Sequence, residues 1–276
     1  MKQETLELLQ DPCSGNPLIL KSTAQEESVL ANTKSGTIYP IQHGMPNFLT
    51  GREISGTNRT YQLMYNRLSP FYDFVTRTAI TLMHASEESV RLEYLRELEI
   101  RPGDKVLEVS VGTGTNFCYL PRNAHYYGLD LSPGQLRQCR KKLKKLGLEA
   151  ELFLGEGEKL PFKDHVFDVV FHMGGINFFT DPAAAVQEMF RVAKPGSKLV
   201  IVDETDRFTK KLAKIPVVKS FFKHTKHINV PDLFVPEDAE DVQVKELFGG
   251  RLWFLSFRKA KAQTRPATIP TYDGQR

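Results

Sequence analysis

The run Val106–Asn116 constrains this chain more than any other. Val106-Leu107-Glu108-Val109-Ser110-Val111 is a near-continuous apolar stretch, broken only by Glu108 and Ser110, and it runs directly into Gly112-Thr113-Gly114. A doubly apolar strand that ends on glycines, followed by repeated strand–helix alternation, is the opening of a parallel sheet covered on both faces. The alternation is there. Ala124–Leu129, Ala150–Leu154, Val166–His172 and Leu199–Asp203 read as further strands. Ser132-Pro133 supplies an N-cap and first helical residue for a helix carrying Leu136, Cys139, Leu143 and Leu146 on one face, stopped by Gly147. Asp181–Val192 reads as the helix before the last strand, and Val242–Phe248 with Arg251–Phe257 flank Gly249-Gly250 as a hairpin. The fold class expected is α/β, doubly wound.

Residues 1–50 have a different texture. Short apolar runs separated by Asp-Pro, Ser-Gly-Asn-Pro, Lys-Ser-Gly and His-Gly-Met-Pro predict a small β-rich unit. Residues 51–99 read as a linker and a helical cap, with helices over about Thr60–Leu82, kinked at Ser69-Pro70, and Glu87–Leu98. Residues 100–260 form the main domain and 261–276 a flexible tail. A chain of 276 residues can bury such a core. Its net charge of +4 is too mild to mark a dedicated nucleic-acid binder. No apolar run approaches the roughly 18 residues of a spanning helix, and the first residues lack the apolar region of a signal peptide. Three scattered cysteines, Cys13, Cys118 and Cys139, build neither a disulfide framework nor a metal site, and imply a reducing, cytoplasmic setting.

In an open α/β sheet the ligand lies beyond the strand C-termini, at the first strand–turn–helix. Gly112 and Gly114 let the backbone approach a ligand closely, although the same turn can simply be tight. Asp130, sixteen positions after Gly114, ends the second strand where a carboxylate can accept from both hydroxyls of a ribose. Phe117 stands where a dinucleotide fingerprint needs a third glycine, and no phosphate-loop lysine pattern is present. Glu108 would repel a pyrophosphate but suits an ammonium. That charge logic selects S-adenosyl-L-methionine, which carries an amine and a sulfonium and no phosphate.

The residues then bear a resemblance. Val-Leu-Glu-Val-Ser-Val-Gly-Thr-Gly-Thr-Asn, from Val106, resembles motif I of class I S-adenosylmethionine-dependent methyltransferases. Gly155-Glu156-Gly157-Glu158-Lys159-Leu160-Pro161-Phe162 and Asp181-Pro182 through Lys194-Pro195-Gly196 resemble two later segments of that family. The resemblance covers about residues 100–204. It implies a Rossmann-like, mostly parallel seven-stranded sheet with a C-terminal antiparallel hairpin. It also implies cofactor contacts from Glu108, Ser110, Gly112, Gly114, Asn116, Asp130, Leu131, Glu156, Gly157, His172 and Met173, with Glu156 accepting from the adenine amine. Ser110 departs from the family's first glycine and Glu156 from its aspartate.

The flanks narrow the likeness. Tyr65 through Asp73, and Lys245 through Trp253 with its Gly249-Gly250, resemble segments of ubiquinone/menaquinone-biosynthesis C-methyltransferases. Tyr65 and Tyr72 are read as substrate-side residues or as core aromatics. The run 207–227 holds seven Lys or Arg and no acid, interleaved with Phe and aliphatic residues, which suits an anionic membrane surface. Residues 11–46 resemble a Trm-type zinc ribbon in which the four ligand positions read Asp11, Ser14, Asn32 and Ser35, so no metal is expected. The activity implied is methyl transfer to a hydrophobic small molecule, quinone- or lipid-like, with His172, Asp181 and Glu204 as candidate bases by position. An rRNA methyltransferase and an inactive cofactor-binding module are the alternatives.

Overall fold

The computed structural model describes residues 1–23, 28–50, 54, 56–82, 85–212 and 235–261. A short helix α1 (Gln3–Leu8) leads into an antiparallel sheet of β1 (Leu18–Ser22), β2 (Ser28–Asn32), β3 (Ile38–Gln42) and β4 (Met45–Pro46). Three helices follow: α2 (Gly56–Leu68), α3 (Tyr72–Leu82) and α4 (Glu87–Leu95). The main domain contains β5 (Lys105–Val109), β6 (His125–Asp130), α5 (Pro133–Leu146), β7 (Glu151–Leu154), β8 (Phe167–Met173), α6 (Pro182–Val192) and β9 (Ala193–Glu204). It continues with α7 (Asp206–Leu212), β10 (Ala239–Leu247) and β11 (Leu252–Lys259).

Seven strands form one sheet in the order β10-β11-β9-β8-β5-β6-β7, with β5 to β9 parallel and β11 antiparallel to both β9 and β10. The chain steps from β5 outward to β6 and β7, then returns to β8 on the other side. The strand order therefore reverses at β5 and β8, which opens the crevice where ligands of such sheets bind. Both faces of the sheet are covered by buried apolar clusters. One contains Leu107, Val109, Phe167 and Ile201, and the other Val106, Leu136, Val169 and Phe254. Alternate residues of one strand thus serve opposite clusters, which is why β5 and β8 read as continuous apolar runs. This is the Rossmann-like architecture expected.

Two local expectations are corrected. Residues 60–82 do not form one kinked helix. The chain leaves the helix at Leu68 and re-enters it at Tyr72, because Pro70 lacks an N–H and disfavours helical backbone at Ser69. The first main-domain strand stops at Val109 rather than Val111, since Ser110 turns the backbone to φ 61°. Most of the run 207–227 and nearly all of 261–276 lie outside the described residues; within the first, α7 ends at Leu212.

Asp11, Ser14, Asn32 and Ser35 come together in the small sheet as a hydrogen-bonded cluster. Asp11 Oδ1 accepts from the N–H groups of Cys13 and Ser14 at 2.9 Å each, and its Oδ2 accepts from Asn32 Nδ2 at 2.8 Å and Tyr39 OH at 2.7 Å. Asn32 Oδ1 takes the N–H groups of Lys34 and Ser35, and its amide also donates to Ser14 Oγ. Two tight turns are thereby tied to each other through side chains. Main-chain bonds from Gln10 to Pro161 and from Phe48 to Leu154 join this unit to the edge of the main domain.

Candidate functional site

The cavity lies at the strand reversal, beyond the C-terminal ends of β5, β6 and β8, with a volume of about 820 Å³ including its mouth. Its floor is the β5 turn with Glu108, Ser110, Val111, Gly112 and Asn116, one wall is Asp130 to Ser132, and another is Met173 to Gly175. Helices α2 and α3 close it with Tyr61, Gln62, Tyr65 and Tyr72.

Glu108 is buried, and burial pushes its carboxyl up to about 8, against the pull of the Asn116 hydrogen bond and the Arg91 charge. Its Oε1 accepts from Asn116 Nδ2 at 2.5 Å. Its Oε2 has no hydrogen-bond partner among the described residues. Asn116 is held in turn, its carbonyl oxygen accepting from Arg91 Nη1 at 2.6 Å and Tyr94 OH at 2.7 Å, and Arg91 is paired with Glu87 at 2.8 Å. This chain of donors fixes the carboxyl so that one oxygen is committed and the other is left for a ligand. A buried acceptor left open costs roughly 1–3 kcal/mol unless something fills it.

Asp130 is the second carboxyl. Its Oδ2 accepts from Gly112 N–H and its Oδ1 from Ser132 N–H, each at 2.8 Å, so its orientation is set by the two turns it bridges. Burial raises it to about 6 against those donors. Each oxygen keeps a lone pair for a hydroxyl.

Ser110, Gly112, Asn116, Leu131 and Met173 line this cavity together with Glu108 and Asp130. Four other expected contacts fall elsewhere. Gly114 sits under α5, where an added Cβ would collide with Cys139 Sγ, so its small size serves the packing of α5 on the turn. Glu156 is covered by α2, its Oε1 accepting from Asn58 Nδ2 at 3.2 Å. Gly157 packs against Phe179, whose ring edge lies 2.8 Å from where a Cβ would be. His172 is fully buried behind the wall, with its Nδ1 on the Val109 carbonyl at 2.9 Å and its ring edge-on to Phe179. Burial lowers its basicity, partly offset by Asp203.

Asp181 caps α6, its Oδ1 accepting from Ala184 N–H at 3.0 Å. Glu204 ends β9 beside Asp203, and burial with that neighbouring carboxylate pushes it well above the usual range. Neither lines the cavity. Tyr65 and Tyr72 do, ring edge to face at 5.9 Å, and burial pushes the Tyr72 phenol up to about 12 and raises that of Tyr65 well above its ordinary value, so both act as donors rather than bases.

Sequence reasoning missed Arg91, Gln62, Asn66 and Lys142. Arg91 and Gln62 line the cavity, and Gln62, Asn66 and Lys142 hold α2 and α3 onto the main domain. Gln62 donates to the Leu131 carbonyl, Ser132 Oγ and Gly134 N–H donate to Asn66 Oδ1, and Lys142 pairs with Asp73 at 2.7 Å. The visible signal was polar residues at 58, 62 and 66, one per helical turn on the face of α2 that also carries Tyr61 and Tyr65.

Ser110 merits a measurement of its own. At φ 61° a residue with a Cβ is strained by about 1 kcal/mol, and glycine is not. Ser110→Gly is expected to raise the unfolding free energy by roughly 0.5–1 kcal/mol, read by urea denaturation. A lower stability in the variant would show that the serine hydroxyl contributes more than the strain costs.

Residues 107–201 match the model of the methyltransferase domain. Demethylmenaquinone methyltransferase of Bacillus cytotoxicus is 33% identical over 145 residues, which is 51% of this chain and 60% of that protein. Phosphatidylethanolamine N-methyltransferase of Cereibacter sphaeroides is 34% identical over 125 residues, covering 45% and 62%. The chain thus spans about 60% of the length of these relatives. A solved SAM-dependent methyltransferase of Thermotoga maritima superposes with a TM-score of 0.54 at 22% identity, over 71% of this chain and 99% of that one, and shares the fold.

Proposed function

We propose that this chain is an S-adenosylmethionine-dependent methyltransferase acting on a hydrophobic small molecule, quinone- or lipid-like. The observation that carries the reading is the buried Glu108 carboxyl, held by Asn116 with its second oxygen unpartnered among the described residues, in a cavity that Asp130 also lines. These residues fit the cofactor. Glu108 would take the amine, Asp130 the ribose hydroxyls, and the wall of Leu131, Met173 and Phe179 the apolar remainder. When bound, the cofactor supplies a methyl group on a sulfonium.

The chain's own part is placement. Tyr61 stacks on Phe178 at 4.3 Å, and with Tyr65 and Tyr72 this aromatic cover excludes water and fixes the acceptor's approach. Positioning of this kind contributes several kcal/mol to a displacement in which little proton chemistry is needed. Tyr65 and Tyr72 can donate hydrogen bonds to an acceptor oxygen. The basic run 207–227 would serve the membrane surface on which such an acceptor resides. On the same reading, residues 1–50 are a zinc-ribbon-like unit whose metal is replaced by the Asp11–Asn32 hydrogen bonds.

The relatives above act, by name, on demethylmenaquinone and on phosphatidylethanolamine, which supports the acceptor class. The test is calorimetry with S-adenosylhomocysteine, followed by incubation with methyl-labelled cofactor and either a bacterial lipid extract or unmodified rRNA. Binding and label in the lipid fraction are expected. Absence of binding would make the cavity a scaffold, and label in RNA alone would reassign the acceptor.

A further inference from the structure

The two helices that cover the cavity have an outer side with a different character. Phe71, Phe74 and Val75 are 65%, 73% and 60% exposed, and with Thr78 they fall at i, i+3, i+4 and i+7, one stripe along α3. On α2, Leu63 is 58% exposed between Arg59 and Arg67, four residues away on either side. Single exposed apolar residues are ordinary, but two phenylalanines and a valine within five residues on one stripe form a patch. The charges that α2 and α3 themselves carry are mostly positive. Arg59, Arg67 and Arg77 are exposed, and the one acidic residue in the sequence of α2 and α3, Asp73, is engaged with Lys142 and Thr113. The inner sides of the same helices carry Tyr61, Tyr65 and Tyr72 into the cavity.

We propose that the outer face of α2 and α3 docks on an anionic phospholipid bilayer, with Phe71, Phe74, Val75 and Leu63 entering the headgroup boundary and Arg67 and Arg77 meeting the phosphates. The combination of an exposed aromatic stripe with flanking cations, the one acid of α2 and α3 being paired with Lys142, is the chemistry of an interfacial helix. A second copy of this chain packed on the same face would bring its own arginines against these, which charge disfavours. The surface is separate from the run 207–227. It deepens the functional reading, on which it rests for its purpose: a cover whose outside lies in the bilayer and whose inside lines the cavity lets a lipid-dissolved acceptor enter without crossing water. Among the described residues the cover is held to the main domain by the Tyr61–Phe178 stack, by hydrogen bonds at Asn58, Gln62 and Asn66 and by the Asp73–Lys142 ion pair, and the polar contacts can be exchanged for water when it opens.

The experiment is flotation of the full chain with vesicles of pure phosphatidylcholine and of phosphatidylcholine with about 30% phosphatidylglycerol. Wild type is expected to float with the anionic vesicles and to do so at least tenfold more weakly with neutral ones. Phe71→Ser/Phe74→Ser and Arg67→Glu/Arg77→Glu are each expected to reduce anionic-vesicle binding about tenfold or more. S-adenosylhomocysteine affinity and the thermal midpoint should be unchanged, because these side chains are exposed and outside the cavity. Wild type that stays behind, or both variants floating like wild type, overturns the proposal. So does loss of binding only on charge reversal at Lys210, Lys211 and Lys214, or a sedimentation-defined oligomer that the phenylalanine variant dissociates. Flotation without S-adenosylhomocysteine binding would sustain this surface and sink the methyltransferase reading instead.

Discussion

Glu108→Gln is expected to weaken S-adenosylhomocysteine binding by about 3 kcal/mol, roughly 150-fold, while leaving the fold intact. Glutamine keeps the size of the side chain and can still accept from Asn116, but it offers a neutral oxygen or an NH₂ where the ligand brings an ammonium. The pH dependence follows from the same group. In the unliganded protein the Glu108 carboxyl titrates at about 8, so between pH 6 and 8 it is mostly protonated and must lose that proton to pair with the amine. Affinity is therefore expected to rise with pH across this window, by up to tenfold per unit, and to level above 8 until the ligand's own amine deprotonates. In the Glu108→Gln protein the slope should vanish. Calorimetry in buffers of differing ionisation enthalpy reads the released proton directly; a flat wild-type profile would assign the amine to another partner. The same raised titration means that the unliganded fold gives up stability as pH rises from 4.5 through 8, since the charged form is the one that burial penalises.

Asp11→Ala is expected to destabilise the N-terminal unit by about 3–4 kcal/mol, enough to melt the small sheet before the main domain. One buried carboxylate there accepts four hydrogen bonds, from Cys13, Ser14, Asn32 and Tyr39, and alanine leaves all four donors without it. Burial alone would raise the Asp11 carboxyl, but those donors outweigh it and bring it down to about 2 from an ordinary 3.8. A depressed folded value contributes stability that is fully present above pH 3.8 and is lost as pH falls through 2. The shift corresponds to about 2.5 kcal/mol. Hydrogen exchange of the β1–β3 amides, measured on wild type and Asp11→Ala, checks both figures. Unchanged protection in the variant would show that Tyr39 and Phe48, whose rings lie 5.0 Å apart, hold the unit without the carboxylate.

Much of this molecule could be read from its residues in order. The glycine turn, the Ser132 cap with Pro133, and the spacing of apolar runs each follow from local chemistry: backbone freedom, an orphan N–H, and a side-chain period of two or 3.6. They sufficed for the doubly wound sheet, its C-terminal hairpin and the placing of Glu108 and Asp130 at the crevice. What the order of residues could not supply was direction and company. Gly114 and His172 stand in motif positions that suggest a ligand, yet one faces α5 and the other lies behind Phe179, because which side of a turn or strand meets the cavity is set by packing. Arg91 and Asn116 are 25 residues apart and meet only because α4 crosses beneath the glycine turn. The open oxygen of Glu108 depends on that meeting, and so does its proton. A glutamate can be placed near a ligand by its motif, but its charge is decided by everything folded around it, since burial and distant partners are properties of the assembled chain.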